Sequence, residues 1–214
     1  MIYAHRFPKE IIEGRAKMWN TLVTHFFQGI ITNNQTVLDL GAGYCEFINS
    51  VKAINKIAID LNPDTNSLAN PDVRVIQTAS DDLKDVQSGS VTTVFTSNFF
   101  EHLKDVDTLL ATLKECHRVL SLKGQIIVMM PNIRHLPGAY WDYLDHRLPL
   151  THHSLSEALN LTGFKVVRVE PKFLPYTASS KRGIPPNFLI AAYLKIPFAW
   201  KLLGKQMLIV AIKE

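Results

Sequence analysis

The sequence contains little cysteine and no long apolar segment. Only two of its 214 residues are cysteine, Cys45 and Cys116, and their spacing is not that of a metal-binding motif. No stretch reaches the roughly 18 uncharged apolar residues that cross a bilayer. Charged residues in the first ten positions stand where a signal peptide needs an apolar core. We therefore expect reduced thiols and a cytoplasmic location, without a disulfide framework or a membrane-spanning segment.

Acidic residues are almost absent from the C-terminal part of the chain. Residues 171–214 contain seven basic residues and one acidic residue, Glu214, whereas the whole chain has a net charge of +4. The first 170 residues are therefore slightly acidic. This distribution favours an anionic partner for the C-terminal segment alone and argues against a nucleic-acid-binding body.

Short runs of branched apolar residues alternate with helical patterns along the chain. The alternation predicts an α/β fold: a Rossmann-like seven-stranded, mostly parallel sheet with an antiparallel last strand and helices on both faces. The predicted strands lie at residues 36–41, 56–62, 73–79, 90–98, 125–131, 164–170 and 206–214.

Periodic apolar residues and end signals predict the helices. The periodicity indicates helices over residues 9–30, 44–53 and 101–120. Ser154 and Glu157, three residues apart, predict a capping box that begins a further helix, and Gly163 is expected to end it.

We interpret residues 1–214 as a single domain with two long connections. In open α/β sheets ligands bind beyond the carboxyl ends of the strands, and both connections, 131–153 and 171–205, leave from those ends. Both are therefore expected to shape a substrate pocket. The predicted parts are a helical cap (1–34), a ligand-binding core (35–170), a substrate-side insertion or lid (171–205) and the last strand (206–214).

The stretch VLDLGAGYCEF, residues 37–47, joins a predicted strand to a helix through two glycines. Gly41 and Gly43 permit a tight turn with an open backbone N–H surface. A dinucleotide-binding fingerprint needs a third glycine where Glu46 stands. Asp39 would repel a phosphate and attract a cation, and Asp60, at the end of the next strand, can accept hydrogen bonds from ribose hydroxyls. The pattern favours a nucleoside with a cationic attachment over NAD.

Together with AIDLN (58–62) and VFTSNFFEHL (94–103), this stretch resembles class I S-adenosylmethionine-dependent methyltransferases over most of residues 35–170. The resemblance implies S-adenosylmethionine as the cofactor. The whole chain is also similar to methyltransferases that accompany bacterial surface-polysaccharide glycosyltransferases, which implies a carbohydrate or other small-molecule acceptor.

The cofactor-binding positions of the family can be carried over to this sequence. The chain departs from the family at Ala79, where the first acid of the adenine-edge loop usually stands. The resemblance implies contacts with the methionine part from Asp39, Gly41, Ala42 and Gly43, with the ribose from Asp60, with the adenine from Leu61, Ser80 and Asp81, and with the region of the transferable methyl from Asn98 and Phe99.

Glu101 and His102 are the first candidates for catalysis, because they follow the fourth predicted strand. A hydroxyl acceptor benefits from a base that takes its proton, typically a histidine, so we expect O-methylation, for which His102 is a candidate base. Alternatively, both residues form the first turn of a helix, and His102 bonds to a neighbouring loop. His152 and His153 are further candidates for the base or for acceptor binding, unless they only flank the helix cap at Ser154.

A divalent metal is an alternative. Some related methyltransferases that act on RNA 3′ ends or quinone precursors hold a metal with E-x-x-E-H and a distant histidine. Here Asn98 replaces the first acid, which weakens a site for a hard cation, and His152 or His153 would be the distant ligand. We therefore assign no metal ligand.

Aromatic residues are frequent in both long connections. Tyr140, Trp141 and Tyr143 are suited to stacking on an acceptor, or else pack their connection onto the core. In the second connection Pro197 should prevent one long helix. The mixture of apolar and basic residues there favours either a lid over the pocket or contact with a membrane surface, and both hold for a lipid-linked acceptor. The lid would be formed by Phe188, Leu189, Tyr193 and Trp200.

The sequence is compatible with two further classes of function. Intact cofactor-binding positions are also compatible with a catalytically silent protein that only binds the cofactor. A nucleic-acid modifier would use the basic C-terminal segment, but the slightly acidic main body argues against it. No motif predicts an oligomeric state.

Overall fold

The computed structural model describes residues 9–176 and 184–214 and shows one seven-stranded sheet. The strand order is β3-β2-β1-β4-β5-β7-β6. β7 runs antiparallel to both β5 and β6, and the other pairs are parallel, so the predicted sheet is confirmed. The strands are β1 (Thr36–Leu40), β2 (Asn55–Ile59), β3 (Val73–Ile76), β4 (Val91–Ser97), β5 (Leu120–Pro131), β6 (Phe164–Leu174) and β7 (Gln206–Lys213).

Helices cover both faces of the sheet, as the alternation of elements predicts. Two separate apolar cores lie under α4 with α5 and under α1 with α2, α6 and α7. The helices are α1 (Lys9–His25), α2 (Glu46–Ser50), α3 (Thr65–Leu68), α4 (Val106–Val119), α5 (His152–Leu161), α6 (Asn187–Leu194) and α7 (Pro197–Leu203).

Side chains of β1 alternate between the two cores. Leu38 and Leu40 belong to the core under α4 and α5, whereas Val37 belongs to the core under α1 and α2. A parallel strand buried on both faces is expected to be a continuous apolar run, and this is why the apolar run in the sequence predicted β1 correctly. Asp39 is the one acidic residue of this run and lies one residue before the carboxyl end of β1.

Three predicted helices begin or end at other residues. α1 ends at His25, and Phe27–Gly29 forms a separate 3₁₀ turn. α2 begins only at Glu46, because Cys45, with φ 60°, holds a left-handed conformation just before it, and it ends at Ser50, where the chain becomes extended at Val51. α4 begins after Asp105, whose carboxylate accepts a 2.9 Å hydrogen bond from the Thr108 N–H. The prediction that this helix starts at residue 101 is therefore wrong.

The predicted capping box of α5 is also wrong. Thr151 is the N-cap: its hydroxyl accepts from the Ser154 N–H at 3.1 Å, and the Ser154 hydroxyl accepts from the Thr151 N–H at 2.9 Å. The helix therefore starts three residues before the predicted position. Gly163 follows the helix with φ +91°, as its predicted role at the C-terminus requires.

The second long connection contains two short helices, separated at Pro197 as predicted. The Tyr193 hydroxyl donates to the Phe173 carbonyl at 2.7 Å, and the Trp200 ring lies 5.0 Å from the Phe173 ring and 5.8 Å from the Phe26 ring. Tyr193 and Trp200 thus fasten α6 and α7 to β6 and the N-terminal region. They do not cover the ligand cavity described below, which corrects that part of the lid expectation.

The described ranges, 9–176 and 184–214, contain no helix with both the length and the apolar character needed to cross a bilayer.

Candidate active site

A cavity of about 760 Å³ lies beyond the carboxyl ends of β1, β2 and β4. Ligand pockets in proteins range over roughly 300–1,000 Å³, so the cavity can hold a nucleoside-sized ligand. Every residue that the sequence predicts as cofactor-binding lines it: Asp39, Gly41, Ala42, Gly43, Asp60, Leu61, Ser80, Asp81, Asn98 and Phe99.

The glycine turn is in direct contact with the Phe99 ring. Gly41 has φ +72°, and a Cβ at this position would lie 2.5 Å from two ring carbons of Phe99. Gly43 also has a positive φ, +51°, but a Cβ there would meet no atom within 4 Å. Gly41 is therefore required both by its backbone conformation and by the aromatic ring, whereas Gly43 is required by conformation alone.

The backbone amides of the turn are bonded within the protein. The N–H groups of Gly41 and Ala42 donate to the Ile59 carbonyl at 2.9 and 3.1 Å, and the Gly43 N–H donates to the Asp60 carboxylate at 2.7 Å. This corrects the expectation of an open N–H surface. Because an anion site of this type needs unengaged N–H groups, the arrangement disfavours a pyrophosphate.

Asp60 is held rigidly at the end of β2. One carboxylate oxygen accepts from the Gly43 N–H, and the other accepts from the Asn62 N–H at 2.8 Å. A carboxylate has about four acceptor positions, so both oxygens can accept a further hydrogen bond. A fixed pair of acceptors at the cavity wall fits the two hydroxyls of a ribose.

Asp39 is buried, with 4% of its surface exposed. Burial and the neighbouring Asp60 raise the pKa of Asp39 well above its usual range, while a hydrogen bond from the Ile48 N–H opposes this shift. Ile48 lies in the first turn of α2, so Asp39 also fixes this helix to the end of β1. The sequence did not reveal this second role.

An ion pair that the sequence analysis missed closes another part of the cavity wall. Arg15, from α1, donates two hydrogen bonds to Glu46 at 2.7 and 2.9 Å. The guanidinium also lies 5.8 Å from the centre of the Tyr44 ring. The only signal in the sequence was an acid, Glu46, at the place of a third glycine. The pair presents a positive and a negative charge side by side.

The loop after β3 contributes Ser80 and Asp81 in different ways. The Ser80 hydroxyl shares a 2.8 Å hydrogen bond with the Thr112 hydroxyl on α4 and is buried. Asp81 is exposed at the rim of the cavity. Ala79, where the chain departs from the family pattern, and Thr78 line the same wall of the cavity.

Among the described residues, two cavity-lining side chains at the end of β4 have a buried oxygen without a hydrogen-bond partner. These atoms are the Ser97 hydroxyl oxygen and the Asn98 side-chain oxygen. An unsatisfied buried polar group costs about 1–3 kcal/mol, so such atoms are normally satisfied by protein, water or ligand. Their position indicates that a polar ligand completes this part of the wall.

His102 lies in the cavity wall and is oriented by Asp145. Its Nδ1 is 3.0 Å from the Asp145 carbonyl oxygen and 3.5 Å from the Asp145 carboxylate. Because a carbonyl oxygen can only accept, Nδ1 carries the proton, and the lone pair of the neutral ring is on Nε2. The predicted bond between His102 and a neighbouring loop is confirmed.

His146 lies beside His102 at the cavity. The two ring centres are 5.0 Å apart, and the His146 Nδ1 donates to the Tyr140 carbonyl at 2.5 Å. Possible ligand atoms of His102, Asp145 and His146 all lie within 4.8 Å of one another. This group differs from the metal arrangement considered from the sequence, in which Asn98, Glu101 and His152 or His153 accompany His102.

Glu101 is fully buried behind the wall and does not line the cavity, which corrects its expected position at the rim. Its carboxyl group accepts a 2.7 Å hydrogen bond from the Tyr140 hydroxyl. Its carbonyl accepts from the Arg147 and Leu148 N–H groups at 2.8 and 3.1 Å. Burial raises the pKa of Glu101 to about 7, and the Tyr140 hydrogen bond opposes this rise.

His152 and His153 lie at the start of α5, away from the cavity lining. The His152 Nδ1 is 3.0 Å from the Asn132 side-chain nitrogen, and the two histidine rings are 4.0 Å apart. Because the helix starts after Thr151, both histidines belong to its first turn. Their predicted placement over the pocket is therefore corrected.

Aromatic rings from both long connections reach the cavity. Tyr140 and Tyr143 line it, and Tyr176, from the second connection, packs 4.9 Å from the Tyr140 ring. Trp141 does not line the cavity; its indole N–H donates to the Leu136 carbonyl at 2.7 Å. Trp141 thus packs its connection, as one reading predicts, whereas Tyr140 and Tyr143 lie at the cavity, where the other reading needs them.

Comparison with protein families gives one match, to a methyltransferase domain family over residues 3–169. The chain belongs to this family. The match confirms the resemblance to class I S-adenosylmethionine-dependent methyltransferases, whose methyl donor is S-adenosylmethionine. A comparison with curated proteins finds no match.

Solved methyltransferase structures share the fold over nearly the whole chain. An S-adenosylmethionine-dependent methyltransferase from Archaeoglobus fulgidus has a TM-score of 0.72 and 22% identity, covering 99% of this chain and 100% of its own. One from Thermotoga maritima, a possible histamine N-methyltransferase, has a TM-score of 0.68 and 16% identity, with coverage of 96% and 94%. One from Mesorhizobium loti has a TM-score of 0.62 and 15% identity, with coverage of 87% and 95%. At these identities the similarity shows the fold of this methyltransferase.

The cavity fits the methyl donor of the family. Asp60 offers acceptors for a ribose, and the unsatisfied oxygens of Ser97 and Asn98 can be satisfied by polar groups of the ligand. The Arg15–Glu46 pair offers both charges to a zwitterionic amino-acid group. The amides of Gly41, Ala42 and Gly43 are bonded within the protein, which agrees with a ligand that lacks phosphate.

Proposed function

We propose that this methyltransferase transfers the methyl group of S-adenosylmethionine to a hydroxyl oxygen of a small-molecule or carbohydrate acceptor, with His102 as the general base. When bound, S-adenosylmethionine supplies a methyl group on a sulfonium centre. Transfer to a hydroxyl then needs alignment of the acceptor and removal of its proton. The residues of this chain provide groups for both tasks.

The observation that carries the proposal is the orientation of His102. Its Nδ1 donates to the Asp145 carbonyl at 3.0 Å, which places the basic lone pair on Nε2, in a side chain of the cavity wall. When His102 takes a proton, the Asp145 carboxylate, 3.5 Å from Nδ1, stabilises the positive ring. In this tautomer the ring can take a hydroxyl proton through Nε2.

The acceptor side of the cavity supports a sugar or a similar flat-faced molecule. The rings of Tyr140, Tyr143 and Tyr176 belong to the lining, and aromatic faces pack well against the apolar faces of sugars. Arg147 and Lys104, both exposed at the cavity, are suited to a phosphate or another anionic group of the acceptor. A nucleotide sugar or a lipid-linked sugar phosphate combines these features.

A product screen tests the proposed activity. The purified protein is incubated with methyl-labelled S-adenosylmethionine and panels of nucleotide sugars, sugar phosphates and phenols, and mass spectrometry locates the added methyl group. Label on a hydroxyl oxygen supports the proposal, and label on nitrogen or carbon contradicts it. Tight binding of S-adenosylhomocysteine without any product would instead favour a catalytically silent cofactor-binding protein.

Substitution of His102 tests its role. His102→Gln should lower kcat about 10²- to 10⁴-fold, the usual contribution of general-base catalysis, and leave the affinity for S-adenosylhomocysteine nearly unchanged. His153→Gln, outside the cavity lining, is the matched control and should keep the wild-type kcat. A rate for His102→Gln close to that of wild type would remove His102 as the base.

Metal-assisted O-methylation is a second candidate, because possible ligand atoms of His102, Asp145 and His146 lie within 4.8 Å of one another. Two imidazoles and a carboxylate suit a transition metal or zinc. In this candidate, chelation abolishes activity, Mn²⁺ or Zn²⁺ restores it, and His146→Gln removes metal binding measured by calorimetry. Full activity after chelation, with no heat from either ion, excludes it.

A further inference from the structure

Large apolar side chains on α6, on α7 and at Ile196 between these helices are exposed to solvent. Exposed apolar residues scattered singly are ordinary, but six of them within residues 188–203 indicate an interaction surface. We call this group the α6–α7 surface. It consists of Phe188 (71% exposed), Leu189 (49%), Ile196 (51%), Phe198 (69%), Leu202 (64%) and Leu203 (58%).

The fold does not need these side chains for its own core. The opposite sides of the two helices already bury Ile190, Leu194 and Trp200 in the core shared with α1. Trp200 is further fixed by a 3.0 Å hydrogen bond from its indole N–H to the Tyr193 carbonyl. The helices are thus anchored by one side, and the α6–α7 surface is left for another contact.

The charge around the surface is positive. Lys195, Lys201 and Lys205 are exposed beside the apolar side chains, and the Lys172 Nζ reaches α7, where it donates to the Lys201 carbonyl at 2.9 Å. The sequence contains no acidic residue from position 171 to position 213. A partner that covers the apolar side chains therefore meets several lysines and no carboxylate of this segment.

We propose that the α6–α7 surface docks on an anionic lipid bilayer and holds the enzyme at the membrane surface. Apolar side chains at this density enter the boundary between headgroups and acyl chains, and adjacent lysines contact anionic headgroups. Phe198 and Leu202, one helical turn apart on α7, would insert together. None of the residues of the surface lines the cavity, so the proposal does not depend on the identity of the acceptor.

Vesicle sedimentation with the full-length protein tests the proposal. The vesicles contain phosphatidylcholine alone or phosphatidylcholine with phosphatidylglycerol. The protein should sediment with the anionic vesicles only, and high salt should release most of it. Replacing Lys195, Lys201 and Lys205 with Gln should weaken binding by about fivefold per lysine, or on the order of 10²-fold together. Phe198→Ser with Leu202→Ser should weaken binding by a similar factor, because both exposed side chains lose their apolar insertion.

Matched controls separate this surface from general charge and hydrophobicity. Lys52, Lys114 and Lys123, all exposed on other parts of the fold, are replaced with Gln in one control. Leu122→Ser and Leu161→Ser, at positions 70% and 71% exposed, form the other. Both controls should bind vesicles as the wild-type protein does, and circular dichroism should show that every variant is folded.

Three outcomes overturn the proposal. The first is the absence of sedimentation with either vesicle. The second is equal binding by the α6–α7 variants and their controls. The third is a wild-type dimer in sedimentation equilibrium that Phe198→Ser with Leu202→Ser converts to a monomer, without vesicle binding, which would assign the surface to a second copy of the chain.

Discussion

The Tyr140 hydroxyl donates a 2.7 Å hydrogen bond to the buried carboxyl group of Glu101. This bond joins the first long connection to the 3₁₀ turn after β4, and His146 bonds to the Tyr140 carbonyl. Tyr140 is therefore connected through its side chain to Glu101 and through its backbone to His146. The packing of the cavity wall near His102 depends on this connection.

Removal of the Tyr140 hydroxyl should destabilise the protein more at pH 8 than at pH 6. Without this donor the pKa of Glu101 rises further, and a buried ionised carboxylate loses a hydrogen bond of about 1.5–3 kcal/mol. Tyr140→Phe should therefore lower the free energy of unfolding in urea by about that amount at pH 8 and by less at pH 6. Tyr143→Phe, at an exposed position, is the control. Equal losses at both pH values would contradict this account of the bond.

Glu101→Gln should remove a pH dependence of stability. The pKa of Glu101 in the folded protein, about 7, lies above its ordinary value of 4.5. The contribution of Glu101 to the free energy of unfolding is therefore greatest below pH 4.5, where the carboxyl group is protonated in both states, and it is lost as the pH rises through 7. Across this window the wild-type free energy of unfolding should fall, relative to Glu101→Gln, by up to about 3 kcal/mol. Urea unfolding of both proteins between pH 5 and pH 8 measures the difference. A difference that stays constant over this range would refute the raised pKa.

Alanine substitution should distinguish the two glycines of the turn. Gly41→Ala adds a Cβ 2.5 Å from Phe99 at φ +72°, whereas Gly43→Ala adds only the cost of φ +51°, about 1–2 kcal/mol. Gly41→Ala should therefore be the less stable variant by a further ~1–3 kcal/mol, the usual cost of overpacking, and should bind S-adenosylhomocysteine more weakly.

The combination of Gly41→Ala with Phe99→Ala checks the cause of this loss. The combined variant should be less destabilised than the sum of the two single variants, because the ring that overlaps the new methyl group is gone. Thermal unfolding of the four proteins gives the coupling. Simple additivity would mean that the Phe99 ring does not limit position 41.

Replacement of Asp60 should weaken nucleoside binding. In the wild-type protein the two carboxylate oxygens accept from the Gly43 and Asn62 N–H groups. Asn has only one acceptor oxygen, so Asp60→Asn cannot keep both of these bonds and also accept from the two hydroxyls of a ribose. Calorimetry should show a roughly 10- to 100-fold loss of S-adenosylhomocysteine affinity. Asp81→Asn, at the exposed rim, should cost only a fewfold loss. The reverse ranking of the two variants would place the ribose elsewhere.

Much of the fold and the donor side of the cavity could be predicted from local sequence. β1 and β2 are apolar runs ending at Asp39 and Asp60, and parallel strands bring their carboxyl ends to one edge, so these acids had to be neighbours. The antiparallel β7 was also predicted, because the connection before it shows no adequate pattern of a crossover helix. The prediction is confirmed, although the connection contains the two short helices α6 and α7. These inferences need only periodicity and topology.

The rest of the cavity wall depends on contacts between distant segments, which local patterns do not encode. Tyr140 and Glu101 are 39 residues apart, and Arg15 and Glu46 are 31 apart. The prediction that His152 lies over the pocket was wrong for a local reason. Thr151 rather than Ser154 is the N-cap of α5, so His152 is the first residue of the helix. Both residue types are good N-caps, so composition alone did not decide between them.

Calorimetric titration with S-adenosylhomocysteine, with NAD as the competing ligand, tests the central claim about the cavity. We predict that one S-adenosylhomocysteine binds per chain and that NAD produces no binding heat at millimolar concentration, because the amides of the glycine turn are bonded to Ile59 and Asp60. Binding of NAD together with no heat from S-adenosylhomocysteine would contradict the account.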